Sequence, residues 1–261
     1  MFFRTNKKDY LLNADVIIQA RMGSSRLPGK IMLNLDNHSI LDYVIKQLKN
    51  SKIINKIVIA TTQDDSDNVI VEYAQKNRLL YFRGNKEDVL DRYYQCAKKF
   101  SINNIVRVTS DCPLIDPQII DYLIEIFVRN DLDYATNKLP IDSPSCNQGA
   151  EVEIFSFKTL EKIWNDSKKP SEREHVTPYI YNNPSQFKIS NVPSKGMNSL
   201  RYTIDRENDL ELVRKIVSLI KNRPILTNDI ETLFKTNPSL FQINSEYERN
   251  EGYFKSTQNE K

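Results

Sequence analysis

Strand-like and helix-like patterns alternate over the first 130 residues of this 261-residue chain. Each apolar run that predicts a strand is followed by a stretch whose apolar residues recur at helical spacing. The predicted strands are 16–19, 56–62, 79–83 and 104–109, and the predicted helices are 40–48, 64–74, 87–100 and 118–129. This alternation predicts an α/β fold with a parallel, doubly wound sheet, whose ligand site lies at the carboxyl ends of the strands.

The second half of the chain has a more mixed pattern, and some antiparallel pairing is expected there. The predicted strands are 132–137, 151–155, 187–192 and 200–204, and the predicted helices are 157–165, 172–181 and 209–220. Beyond residue 244 the chain is polar and charged with scattered aromatics, which predicts a frayed tail.

Composition disfavours several classes of function. The 37 Lys and Arg against 34 Asp and Glu leave a net charge of +3, too small for a general nucleic-acid surface. The three cysteines show no Cys-x-x-Cys spacing, which argues against a disulfide framework or a zinc site and fits a reducing cytoplasm. The two histidines disfavour Ser-His-Asp chemistry. Because no run is long and apolar enough to span a membrane, we expect a soluble cytoplasmic protein without a membrane or nucleic-acid partner.

The first predicted strand runs into a basic loop, so that residues 16–30 read VIIQARMGSSRLPGK. Gly23 would let backbone amides turn toward an anion. Arg21 and Arg26 can fork onto phosphate oxygens, and Lys30 adds a point charge. The loop therefore predicts a nucleoside triphosphate site, although it is no Walker A motif because neither Ser nor Thr follows the lysine. The alternative is a basic surface turn. It is disfavoured because two of the chain's six glycines are concentrated in this loop.

Two aspartates end predicted strands in the way that a magnesium site needs. Asp111 follows the strand at 104–109, and Asp205 follows the predicted strand at 200–204. Magnesium bound to a nucleotide takes one or two carboxylates together with phosphate or water oxygens. The alternative is helix capping, since a helix is predicted several residues after each aspartate.

Other charged segments are weaker candidates. In residues 84–92, acidic side chains can simply favour a helix N-terminus, while Asp91 and Arg92 could face the pocket. Two later segments could recognise a second substrate, and the alternatives are a turn before a strand and a solvated helix face. Their candidate side chains are Gln148, Glu151, Glu153, Arg173 and His175.

Taken together, these motifs resemble the cytidylyltransferase family that includes the CMP-Kdo and CMP-acylneuraminate synthetases, most closely its spore-coat polysaccharide SpsF-type branch. The resemblance covers about residues 14–218. The matching runs, in the family's order, are 19–30 (QARMGSSRLPGK), 82–84 (FRG), 88–94 (DVLDRYY), 107–116 (RVTSDCPLID), 151–155 (EVEIF), 172–179 (EREHVTPY) and 200–205 (LRYTID).

The resemblance implies a Rossmann-like nucleotide-diphospho-sugar transferase fold, with a mixed, mostly parallel sheet and helices on both faces. It also implies a single domain at 14–222, which we expect to be followed by a helical extension at 223–243 and a disordered tail at 244–261, and often a homodimer. Ala20 would lie near the nucleotide, and Asp111 and Asp205 would bind Mg²⁺. The residues that would hold the CTP phosphates are Arg21, Ser24, Arg26 and Lys30.

The function implied by the resemblance is transfer of CMP from CTP to a sugar acid or related acceptor, with release of pyrophosphate, for surface polysaccharide or glycoconjugate synthesis. Gln19 and Ser110 stand where the Kdo enzymes have proline and glycine, which leaves the acceptor open. The alternatives are another nucleotide or a phosphorylated acceptor, a non-catalytic nucleotide-binding subunit, and a metal-dependent glycosyltransferase. The last usually has an Asp-x-Asp pair, which Asp111 and Asp205 do not form.

Overall fold

We describe the protein from a computed structural model, which covers residues 12–247, 249–258 and 260. The strands, in chain order, are β1 Ala14–Gln19, β2 Asn34–Leu35, β3 His38–Ser39, β4 Ile54–Thr62, β5 Leu80–Gly84, β6 Asn104–Thr109, β7 Tyr134–Thr136, β8 Glu153–Ser156 and β9 Ile189–Asn191. Seven of them form one sheet in the order β5-β4-β1-β6-β8-β7-β9, and β2 pairs with β3 separately.

The sheet is mixed and mostly parallel. Strands β5, β4, β1 and β6 are parallel neighbours, as the alternating pattern predicts. Strand β8 runs antiparallel to both β6 and β7, whereas β9 is parallel to β7. The expectation of antiparallel pairing in the second half is therefore confirmed.

The helices, in chain order, are α1 Ile40–Leu48, α2 Asn68–Lys76, α3 Val89–Phe100, α4 Pro117–Arg129, α5 Phe157–Asp166, α6 Pro170–His175, α7 Pro178–Asn182, α8 Glu207–Leu219, α9 Thr227–Thr236 and α10 Glu251–Gln258. Ser39 caps α1, because its hydroxyl accepts from the Asp42 amide at 3.2 Å. Among the described residues, no helix combines the length and apolar character needed to cross a bilayer.

Helices cover both faces of the sheet. Side chains alternate along β1, so that Val16 and Ile18 belong to one apolar cluster and Ile17 to another. The first cluster also contains apolar residues of α1, α2 and α4, and the second contains those of α3 and α5. With both faces buried, the carboxyl ends of the central strands are the open edge where a ligand can bind.

Two of the strands and helices predicted for the second half differ in the structure. Residues 200–204 form no strand and make only an isolated bridge between Arg201 and Gln148, because their apolar side chains pack against α8 instead of entering the sheet. The helix predicted over 172–181 is two short helices. Val176 between them has a φ of 72°, and Pro178 starts the second.

The C-terminal part packs onto the rest of the chain. Phe234 of α9 and Leu240 lie in a third apolar cluster with Leu35 and residues of α8. Beyond residue 244, where the sequence predicts a frayed tail, the structure has α10. An ion pair between Arg206 and Glu251 (2.8 Å) and one between Arg249 and Glu151 (3.0 Å) hold this segment against the domain.

Candidate active site

A cavity of about 400 Å³ opens at the carboxyl ends of β1 and β6. The loop after β1 forms one wall, and the turns after β6 and before α8 form another. The predicted site residues that line it are Ala20, Arg21, Gly23, Ser24, Arg26, Lys30, Asp111, His175 and Asp205. The structure therefore brings the basic loop, Asp111 after β6 and Asp205 before α8 into one cavity, although the strand that the sequence predicts before Asp205 does not form.

Hydrogen bonds within the loop and to Asp67 shape the loop after β1. The Met22 amide donates to Asp67 at 2.7 Å, and the Met22 carbonyl accepts from the Ser24 and Gly29 amides. Gly29 has a φ of 69°, in the region that favours glycine. Gly23 is not among the described glycines with positive φ, so the backbone freedom predicted for it lies at Gly29 instead.

Lys30 joins the two aspartates. Its Nζ donates to Asp111 at 3.0 Å, to Asp205 at 2.8 Å and to the Ile204 carbonyl at 2.6 Å. Although burial disfavours a charged lysine, the two carboxylates raise its pKa above the ordinary value. Lys30 is thus held as a cation between Asp111, which follows β6, and Asp205, which precedes α8.

Neither aspartate acts as a helix cap. Asp116 caps α4, since it accepts from the Gln118 amide at 2.8 Å. Asp209 accepts from the Asp205 and Arg206 amides at 3.0 and 3.1 Å, before α8. Because other residues satisfy these helix ends, the capping alternative is wrong for Asp111 and Asp205, and both residues line the cavity instead.

The pair of carboxylates has the oxygen-donor chemistry that Mg²⁺ takes. In addition to Lys30, Asp205 contacts Arg26 at 2.7 Å and Arg201 at 3.2 Å. Burial opposes ionisation of Asp205, but Lys30 and Arg26 hold its pKa at about 2. The Asp111 side chain is 27% exposed, so a cation can reach it from the cavity. No group of three or more His, Cys, Asp or Glu suited to a metal occurs among the described residues, so the remaining ligands would be phosphate or water oxygens.

A second cavity of about 110 Å³ adjoins the first, since Arg107 and His175 line both. Glu151 also lines it, together with Arg249 and Tyr253 of the C-terminal segment. Burial, with the nearby cations, lowers the pKa of His175 to about 4. The structure therefore places two of the predicted second-substrate residues, Glu151 and His175, beside the larger cavity.

Glu153 lies outside the linings of both cavities, among buried partners. It is 3% exposed and accepts from Tyr134 and Thr177, each at 2.6 Å, while Arg107 and Lys138 neutralise its charge. All of these partners are protein groups, so Glu153 supports the site from within the core and offers no free oxygen to a substrate.

Gln148 and Arg173 likewise lie outside both linings. Gln148 exchanges backbone hydrogen bonds with the 200–202 segment. The Arg173 guanidinium donates to Asp88 at 2.9 Å and to the Trp164 carbonyl at 2.7 Å, which fixes α6 to α3. Protein partners satisfy Glu153 and Arg173, so the prediction that these two side chains bind the second substrate does not agree with this geometry. The Gln148 Oε1 is buried without a hydrogen-bond partner among the described residues, but it faces neither cavity lining.

The sequence analysis missed other residues of the cavities. Arg107 is one of them, and it donates to the Gln19 side chain at 3.0 Å. The sequence marks it only by its place on the predicted strand that precedes Asp111. Gly252 and Lys255 line the larger cavity from α10. No local pattern marks the α10 residues, because their position depends on how the C-terminal segment folds back.

The cysteines lie in the interior of the protein. Cys96, Cys112 and Cys146 are buried free thiols. Burial raises the pKa of Cys96 and of Cys146 to about 12, so neither is a ready nucleophile at neutral pH.

Several known proteins are similar to this chain in sequence and fold. A sequence model of a family described as cytidylyltransferase matches residues 16–247. Spore coat polysaccharide biosynthesis protein SpsF of Bacillus subtilis is 30% identical over 233 residues, which are 85% of this chain and 94% of that protein. The structure of a cytidylyltransferase from Leptospira borgpetersenii is 36% identical, with a TM-score of 0.84, over 90% of this chain and 100% of that chain.

A structure of CMP:2-keto-3-deoxy-manno-octonic acid synthetase complexed with CTP has a TM-score of 0.60 at 17% identity, over 79% of this chain and 99% of that chain. At that identity the likeness concerns the fold, and it confirms the Rossmann-like nucleotidyltransferase architecture. The family match spans the sheet, the basic loop and both aspartates. This chain belongs to the cytidylyltransferase family.

Proposed function

We propose that this protein transfers CMP from CTP to a sugar acid or related acidic acceptor and releases pyrophosphate, in a reaction that depends on Mg²⁺. The observation that carries the proposal is the contact of Lys30 with both Asp111 and Asp205 in the cavity formed by the basic loop. Membership of the cytidylyltransferase family supports CTP as the donor, and so does the shared fold of the Kdo synthetase that forms a complex with CTP.

The cavity residues would act mainly by position and charge. An acceptor oxygen attacks the α-phosphorus of CTP, the bond from that phosphorus to the β-phosphate oxygen breaks, and pyrophosphate leaves. Arg21, Arg26 and Lys30 would balance charge on the triphosphate and on the leaving pyrophosphate. Mg²⁺, held by Asp111 and Asp205, would supply further charge neutralisation when bound.

We assign the acceptor to the smaller cavity. It adjoins the nucleotide cavity through Arg107 and His175, so an acceptor there can approach the triphosphate. Among the residues that the structure describes, its lining has the three cations Arg107, Lys138 and Arg249 and one carboxylate, that of Glu151. Since the buried Glu153 already neutralises part of this charge, the remaining excess favours an acceptor with a single anionic group, such as a carboxylate.

Nucleotide binding tests the proposal before any acceptor is known. Thermal unfolding is measured with CTP, GTP, ATP and UTP in turn, with and without Mg²⁺, and a ligand at about a hundred times its Kd adds about 2.7 kcal/mol to the free energy of unfolding. We expect CTP to stabilise the protein selectively when Mg²⁺ is present. Pyrophosphate release is then assayed with CTP and a panel of sugar acids and sugar phosphates.

The alternatives give different results in the same two assays. Selective stabilisation by another nucleotide would keep the fold and reject CMP transfer. Pyrophosphate release with a sugar phosphate, and none with any acid, would indicate an NDP-linked product. Nucleotide binding without turnover on the whole panel would favour a non-catalytic subunit.

A further inference from the structure

Within the part of the chain that the structure describes, Arg92 is a buried cation without a counter-charge in contact. It lies in the first turn of α3, is 1% exposed, and lines the larger cavity next to Val89. Its Nε and Nη1 are buried and have no hydrogen-bond partner in residues 12–247, 249–258 and 260. By contrast, the guanidinium groups of Arg107 and Arg173 both bind carboxylates.

An unpaired buried charge is costly, and two features add to the cost here. Burial lowers the pKa of Arg92 below that of an ordinary guanidinium, and the neighbouring cation Arg21 lowers it further, with partial compensation from Tyr93, Asp67 and Asp88. The side chain is also closely backed. A Cβ on Gly84 would lie 3.0 Å from Cγ of Arg92, so a larger residue there would displace the arginine stem. The buried charge of Arg92 therefore destabilises the free protein, yet Gly84, which has no side chain, leaves space for the arginine stem.

We propose that Arg92 and Arg21 form an oxyanion subsite that holds a phosphate group of the nucleotide. Arg21 belongs to the loop with Gly23 and Ser24 and lines the same cavity, so the two guanidinium groups border one space. An oxyanion there would satisfy the free donors of Arg92 and remove its repulsion with Arg21. This inference rests on the proposed function, because the triphosphate of CTP is the anion expected beside that loop.

The subsite predicts opposite effects on the free and the bound protein. In Arg92→Met the stem is kept and the charge is removed. Because the charge is unpaired in the free protein, the unfolding midpoint without ligand should be unchanged or higher. Loss of the charged donors should weaken binding of inorganic pyrophosphate and of CTP by roughly tenfold to a hundredfold, while binding of cytidine stays the same.

Two further variants complete the experiment. Arg173→Met is the matched control, since it removes an arginine that pairs with Asp88 outside the cavity; we expect a lower midpoint and unchanged ligand affinities. Arg92→Lys keeps the charge without the planar fork and should bind pyrophosphate with intermediate affinity. It also keeps the test open if the methionine variant does not fold.

Several results would overturn the inference. A lower midpoint for Arg92→Met with unchanged pyrophosphate affinity would make Arg92 structural. Loss of cytidine binding with pyrophosphate binding retained would place Arg92 at the base or ribose. Unchanged CTP and pyrophosphate affinities with a raised KM for the acceptor would place it at the acceptor.

The same titrations separate this inference from the proposed function. A wild-type protein that binds pyrophosphate in an Arg92-dependent way but does not prefer CTP keeps the subsite and rejects CMP transfer. A wild-type protein that prefers CTP, with Arg92→Met equal to it, rejects only the subsite. If the wild-type protein binds neither ligand, both proposals fail.

Discussion

Nζ of Lys30 lies 2.8 Å from a carboxylate oxygen of Asp205, although 175 positions separate the two residues in the chain. Lys30 follows the loop after β1, and Asp205 precedes α8. Their contact ties the basic loop after β1 to the C-terminal half, so the integrity of the cavity and the stability of the fold depend on the same cation.

Lys30→Met should therefore reduce both stability and activity. The change leaves the Asp111 carboxylate without a cation and removes one of the partners of Asp205. Since the Lys30 side chain is 10% exposed, we expect the free energy of unfolding to fall by about 3 kcal/mol. Urea unfolding measures the loss. The control is Lys46→Met, whose ion pair with Asp42 is on the surface and should contribute less than about 1 kcal/mol. Equal losses in the two variants would contradict the role of Lys30.

Asp111→Asn should separate catalysis from folding. The amide oxygen can still accept from Lys30, so the unfolding midpoint should stay close to that of the wild-type protein. Turnover should fall by roughly a hundredfold or more, because the variant lacks the negative charge that would hold Mg²⁺ at this position. Pyrophosphate release from CTP measures the effect. Asp166→Asn, which changes an exposed ion pair with Lys162, is the matched control. Full activity of Asp111→Asn would remove this aspartate from the site.

Glu153→Gln tests the supporting role of the buried carboxylate. Burial works against the charge, but Lys138 and Arg107 hold the pKa of Glu153 at about 2, below its ordinary value of 4.5. The unfolded chain thus binds a proton more readily, and the folded protein loses this stabilisation as pH falls from about 5 through about 2. In the variant, the stability at neutral pH should drop by about 3–5 kcal/mol and its dependence on acid should flatten.

Chemical denaturation of wild type and Glu153→Gln across that pH range measures both effects. Glu125→Gln serves as the control, since its pair with Arg129 is exposed and its pH profile should match wild type. A Glu153→Gln variant with wild-type stability and a raised KM for an acceptor would instead return Glu153 to substrate binding.

Removal of residues 245–261 tests whether the C-terminal segment completes the acceptor cavity. Arg249 and Tyr253 line that cavity, while Glu251 contacts Arg26 at 3.6 Å and, under the proposed function, would compete with a phosphate for it. We expect the KM for the acceptor to rise by roughly tenfold or more and CTP affinity to be kept or improved. Steady-state kinetics with each substrate varied measures the two effects.

The single change Arg249→Met is the companion variant. It should reproduce part of the acceptor defect without changing CTP affinity, because Arg249 lines only the smaller of the two cavities. Loss of CTP affinity with an unchanged acceptor KM in the truncated protein would reverse the assignment.

The sequence by itself determined the alternating elements of the first half, the basic loop after β1 and the two aspartates that end chain segments. The elements follow from local periodicity, because burial of one or both faces of a strand or helix selects its apolar positions. The loop and the aspartates follow from residue type at the ends of predicted elements. Strand β6 and helix α4 agree with their predicted bounds to within one residue for this reason.

Only the tertiary structure decided what each charged side chain contacts. Glu153 and Arg173 lie in segments that looked suited to substrate binding, yet Arg107 and Asp88 satisfy them within the protein. Arg92, which sequence alone left open, lines the larger cavity with no partner for two of its nitrogens among the described residues. Ion pairs between distant residues depend on strand order and on how the C-terminal segment folds back. Local periodicity reports which face of an element is buried, but it carries no information about which partner lies opposite.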